Sequence, residues 1–138
     1  MSKHPLAFQH LSRLNELVTN ASICRVAVER GLTDHDAVRR CADADAAIAE
    51  EVQALARERG WSLPARKSYA WSYLDAVEDP LPRILRIVDR DVFELDGIRR
   101  ETDDDDVASL AAELLSERRV LQHELEDPRP ALGLPGAK

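Results

Sequence analysis

The chain has 138 residues, 33% of them charged, with a net charge of −7. That is one domain's worth of chain, long enough to bury a core without disulfides or metal, and its acidity argues against nucleic acid, because phosphate binding calls for a basic patch. No apolar run approaches the ~20 residues that span a bilayer, and the N-terminus turns polar before a signal-peptide core develops, so a soluble cytoplasmic protein is expected.

Apolar residues recur at three-and-four spacing in four blocks, without a convincing β alternation, which predicts an all-α fold. Block A runs from about Pro5 to Arg30, with Leu11, Leu14, Val18, Ala21 and Val28 on one face. Pro5 suits its first turn, and Gly31 supplies the left-handed residue that stops it. Block B opens at "TDHD", with Thr33 as the expected cap and Asp36 three residues on, and it closes at Gly60. Its stripe is Val38, Cys41, Ile48, Val52 and Leu55, interrupted at Asp45 within the Ala-rich run "CADADAAIAEE".

Block C begins at "DPLPR", where prolines fit a first turn, and runs to about Arg100. Leu81, Ile84, Val88, Leu95 and Ile98 form its stripe, interrupted at Asp91. Block D follows "ETDDDD" with Val107, Leu110, Leu114 and Leu121, and Glu117 stands in its gap. The acids at 103–106 answer the positive end of a helix macrodipole and lack the central Gly of a calcium loop. Residues 1–127 are therefore assigned to one bundle, and the Pro- and Gly-rich residues 128–138 to a flexible tail. The tail's "ALGLP" is apolar enough to dock on a partner, although disorder is the simpler expectation.

Connection lengths predict topology. A to B and C to D are short enough to force antiparallel neighbours, whereas B to C spans roughly twenty residues, up to ~66 Å extended. A hairpin, a long crossover and a second hairpin are expected. The crossover holds Trp61, Tyr69, Trp71 and Tyr73, four of the six aromatics, read as a strap packed over the bundle.

Helices B, C and D each place one acid, Asp45, Asp91 and Glu117, in the middle of an apolar stripe. In an antiparallel bundle these midpoints lie at similar heights, so the three acids converge in one layer unless one of them faces solvent. Burying a carboxylate without a partner is expensive. The partner is either a divalent metal such as iron or manganese, or Arg25, which lies at the corresponding depth of helix A; the arginine is the favoured reading. Cys24 and Cys41 lie at similar distances from the A/B turn, so they face each other in a helical hairpin, as two small core thiols or as a redox pair. His4, His10, His35 and His123 are scattered, and no phosphate loop or nucleophile motif appears.

The block order, the long crossover, the phrase "LNELV" in helix A and "AEEVQALARERG" closing helix B resemble the ferritin-like superfamily, in particular small bacterial members of unknown function. The resemblance covers about residues 10 to 125. It implies an inward Glu on two helices and an inward Glu-x-x-His on the other two. Asp45 and Glu117 fall near the Glu of two such motifs, but Ile48 and Val120 stand where their His would be, and Asp91 matches a third acid. Arg25 lies near where helix A's acid would be. The resemblance thus implies a degenerate di-metal site. A non-enzymatic bundle is expected, acting through binding or assembly as a homodimer, with Ile23, Ala27, Leu85 and Val92 outside the main stripes. The alternative is an iron- or manganese-binding oxidase or storage protein using Asp45, Asp91 and Glu117.

Overall fold

A computed structural model describes residues 6–64 and 79–126. Among the described residues there are five α-helices and no strand: α1 (Leu6–Val18), α2 (Ile23–Glu29), α3 (Asp36–Arg59), α4 (Leu81–Glu101) and α5 (Asp105–Glu126). None is long and apolar enough to cross a membrane. Tyr69, Trp71, Tyr73 and the 128–138 tail lie outside the described residues.

Block A is two helices, not one. Thr19, Asn20 and Ser22 are poor helix formers because their side chains bond locally to backbone. Thr19 Oγ1 donates to the Asn15 carbonyl (2.5 Å), and Ser22 caps α2 by accepting from the Arg25 amide (3.2 Å). The break resets the helical phase. Leu11, Leu14 and Val18 are buried as expected, but α2 turns Ile23, Cys24, Val26 and Ala27 inward and leaves Val28 half-buried. Ile23 and Ala27 are therefore core residues and not a dimer surface.

α3 starts on His35, whose Nδ1 accepts from the Ala37 amide (3.1 Å); Thr33, the expected cap, accepts instead from the His35 amide (3.1 Å). It stops at Gly60, which takes φ 72°, and the Trp61 amide donates back to the Ala56 carbonyl (2.8 Å) in a Schellman motif. Trp61 then meets Phe8 edge-on, ring centres 5.7 Å apart, with the Arg59 guanidinium 5.5 Å from its ring centre. At α4 the Asp79 carboxylate accepts from the Leu81 amide (3.1 Å) ahead of Pro82. At α5, Asp104 Oδ1 accepts from the amides of Asp106 (3.0 Å) and Val107 (3.2 Å), so the acidic run is a helix cap.

Ion pairs at both ends fix the helix directions. Arg40, early in α3, meets Glu124, late in α5 (2.9 Å), and Arg59, late in α3, meets Asp104 (2.5 Å) and Asp106 (2.8 Å) at the start of α5. α3 and α5 are antiparallel. His10 lies 3.6 Å from Glu101 and Arg13 2.5 Å from Glu94, so α1 and α4 are antiparallel as well. α4 and α5 form a hairpin across Thr102–Asp104, supported by a Gln122–Asp89 bond of 2.8 Å. Since α3 and α4 both oppose α5, they run the same way. Pairs that stay partly open to solvent contribute little energy, roughly 0–1 kcal/mol each, but they specify register.

Two apolar clusters fill the bundle. One gathers Leu11, Leu14, Ile48, Leu95 and Leu114; the other gathers Ile23, Val38, Ile84, Val88 and Leu121. Along α3, α4 and α5 the residues between them are Asp45, Asp91 and Arg118, so a polar layer separates the two halves of the core.

Candidate functional site: a buried arginine between two aspartates

Asp45 and Asp91 lie where their stripes place them, 0% and 1% exposed. The cation that meets them is Arg118 on α5, itself 0% exposed. Its Nη1 donates to Asp45 Oδ1 (2.7 Å), its Nη2 to Asp45 Oδ2 (2.8 Å) and its Nε to Asp91 Oδ2 (3.2 Å). Nη2 also reaches the Leu17 carbonyl (3.1 Å), and Nη1 the Cys41 sulfur (3.0 Å). Ser22, freed by the break between α1 and α2, donates to Asp45 Oδ2 (2.5 Å). A planar fork that serves two carboxylates at once is what guanidinium chemistry allows and an ammonium does not.

Burial opposes the Arg118 charge most strongly of any single influence, but Asp45 and the neighbouring cysteines together outweigh it and hold the guanidinium firmly protonated. Asp91 is less well served. Its Oδ1 is buried without a hydrogen-bond partner among the described residues, and burial pushes its carboxyl above the usual range against the pull of Arg118.

Arg25 is not the layer's cation. It is half-buried and donates from Nη1 to the Val18 carbonyl (2.9 Å), closing the C-terminal end of α1. The break between α1 and α2 redirects it, because α2 begins a new phase. Arg25→Ala is accordingly expected to lower stability by about 1 kcal/mol, the scale of one capping bond, in urea denaturation.

Glu117 is half-buried beside the layer rather than within it. Its Oε1 is sequestered without a hydrogen-bond partner among the described residues. Burial, reinforced by the negative charge of Asp45 and opposed by Arg118, pushes its pKa up to about 7. A folded-state pKa above the unfolded value means that the native state binds the extra proton, so stability falls as pH rises from about 4.5 through about 7. Glu117→Gln is expected to melt like the parent at pH 5 and to be more stable at pH 8, by about 1 kcal/mol after allowance for solvent screening.

The expected metal donors do not assemble. The three ligand atoms that converge within 4.8 Å belong to Cys41, Asp45 and Glu117, without Asp91. Both Asp45 oxygens already accept from Arg118, and a guanidinium charge stands against the site. Ile48 is buried where an imidazole would be inward, and Val120 is 56% exposed, so that position does not point into the bundle at all. A divalent ion would have to break a buried bidentate pair to reach Asp45, so the donor set does not fit a di-metal centre.

Arg118 had a sequence signal. The residues 107, 111, 114, 118 and 121 keep a four-three-four-three spacing as regular as 107, 110, 114, 117 and 121. Comparison with family models, with curated proteins and with solved structures finds no match to this chain.

Proposed function

We propose that this chain is a non-enzymatic, ferritin-like helical bundle that acts through binding or assembly, as a homodimer. In it an Asp45–Arg118–Asp91 layer takes the place of a di-metal site. The observation that carries this reading is the full engagement of Arg118, whose three guanidinium nitrogens all serve carboxylates at the centre of the bundle. Such a layer satisfies the buried acids from within the chain and leaves Asp45 without a free oxygen for a redox metal. The shared direction of α3 and α4 supports the long-crossover plan.

Assembly draws support from the surface. Phe93 is 83% exposed on α4, with Leu6 and Val120 also out. Leu85 and Val92 are half-buried, and Val92 packs on both core clusters. Light scattering at tens of micromolar tests the dimer. A mass of twice the 15.5 kDa chain is expected, and a single-chain mass would refute it.

A further inference from the structure

Behind the ionic layer lie two free thiols that the reading above does not use. Cys24 of α2 and Cys41 of α3 are both buried, belong to the same core cluster and are within hydrogen-bonding reach of each other. Their surroundings differ. Cys41 lines a groove of about 240 Å³ between α3 and α5, together with Arg40, Ser116, Glu117 and Val120. Its sulfur also accepts a bond from Arg118 Nη1 (3.0 Å). Cys24 lies deeper and does not line the groove.

We propose that Cys41 and Cys24 form a peroxide-reactive dithiol site, in which Cys41 attacks a small hydroperoxide entering the groove and Cys24 closes an intramolecular disulfide. This replaces the non-enzymatic part of the proposed function and does not rest on its assembly part.

The roles follow from the contacts. Arg118 Nη1 donates to the Cys41 sulfur and holds it at the groove, and loss of the thiol proton to a base gives the nucleophilic form. Glu117 Oε1 has no hydrogen-bond partner among the described residues, and the Glu117 carboxyl lies within 4.8 Å of that sulfur, a gap that one water bridges to carry the thiol proton. Its pKa of about 7 suits a group that accepts a proton and returns it near neutrality. Cys24 keeps its proton, since its contact with Cys41 and then burial push its pKa up.

The chemistry balances. The Cys41 thiolate attacks one oxygen of ROOH, the O–O bond breaks, and RO⁻ leaves as ROH with the proton held by Glu117. Cys41 is now a sulfenic acid. The Cys24 sulfur attacks it, an S–S bond forms, the S–O bond breaks, and hydroxide departs with the Cys24 proton as water. Two thiols are oxidised and one peroxide is reduced to an alcohol and water. A thiol reductant restores the pair by exchange.

The test uses the full-length chain, reduced and freed of reductant, with one equivalent of hydrogen peroxide at neutral pH. Intact mass spectrometry is expected to show a monomer lighter by two hydrogens, and thiol titration the loss of both cysteines. Oxidation should run at least tenfold faster than in the same chain unfolded in urea, where Cys41 has lost its groove and Arg118. Cys24→Ser should stop at a Cys41 sulfenic acid that dimedone captures, whereas Cys41→Ser should resist the same dose. Glu117→Gln should slow the reaction at least tenfold without lowering the melting temperature. Should either serine variant fail to fold, the folded-to-unfolded rate ratio of the parent still decides. A ratio near one, a disulfide between two copies, or dimedone capture at Cys24 in the parent would overturn the proposal.

Discussion

Arg118→Ala is expected to destabilise the protein by about 3–5 kcal/mol, because it strands two carboxylates inside a core that offers them no water. In a chain of this size that corresponds to a fall in melting temperature on the order of 10–20 °C. The loss has several parts. Asp45 forfeits two short charge-assisted bonds, Asp91 its only bond among the described residues, and the Leu17 carbonyl a donor. Arg118→Lys should recover less than half, since an ammonium lacks the fork that spans Asp45 and Asp91. Replacing Asp45, Asp91 and Arg118 together by apolar residues of similar volume should be milder than Arg118→Ala alone, because no charge is then left unpaired. Urea denaturation with m-values held constant distinguishes these cases.

Asp45→Ala should rival Arg118→Ala in cost, also about 3–5 kcal/mol, whereas Asp91→Asn should cost roughly 1 kcal/mol. The asymmetry follows from geometry. Asp45 takes both Nη groups and the Ser22 hydroxyl, so its removal leaves a buried guanidinium with one distant carboxylate and a serine without its acceptor. Asp91 holds a single bond of 3.2 Å, and its other oxygen is without a partner among the described residues, so an amide loses little there. Thermal melts at neutral pH check the order; equal costs for the two aspartates would mean that the layer is shared more evenly than its distances imply.

Much of this was legible in the residues. The stripe of α3 pointed Asp45 into the core, but in α4 the residues 81, 85, 88, 92 and 95 are all apolar at the same spacing as the stripe through Asp91, so packing against the rest of the bundle and not spacing alone buries Asp91 and leaves Val92 half-buried. The stops at Gly31 and Gly60 follow from their left-handed backbone, φ 68° and 72°. α5 was ambiguous for a physical reason. Leu110–Ala111 and Leu114–Leu115 supply two overlapping faces one residue apart, and the choice between Glu117 and Arg118 depends on which charges α3 and α4 present. Two facing aspartates select the arginine, a tertiary effect that α5 does not encode by itself. The α1/α2 break carried a local signal in Thr19, Asn20 and Ser22, but its consequence, a serine hydroxyl on Asp45 and Arg25 turned to a helix end, needed three dimensions.

Whether Arg118 or a metal closes the polar layer is decided by thermal melting of untagged protein in EDTA and in excess ferrous or manganous ion. Superimposable curves are predicted, because a ligand shifts stability only if the native state binds it. A bound metal would instead add about 2.7 kcal/mol at a hundredfold excess over Kd, and a melting temperature raised by several degrees in either metal would mean that a metal, not Arg118 alone, holds the layer.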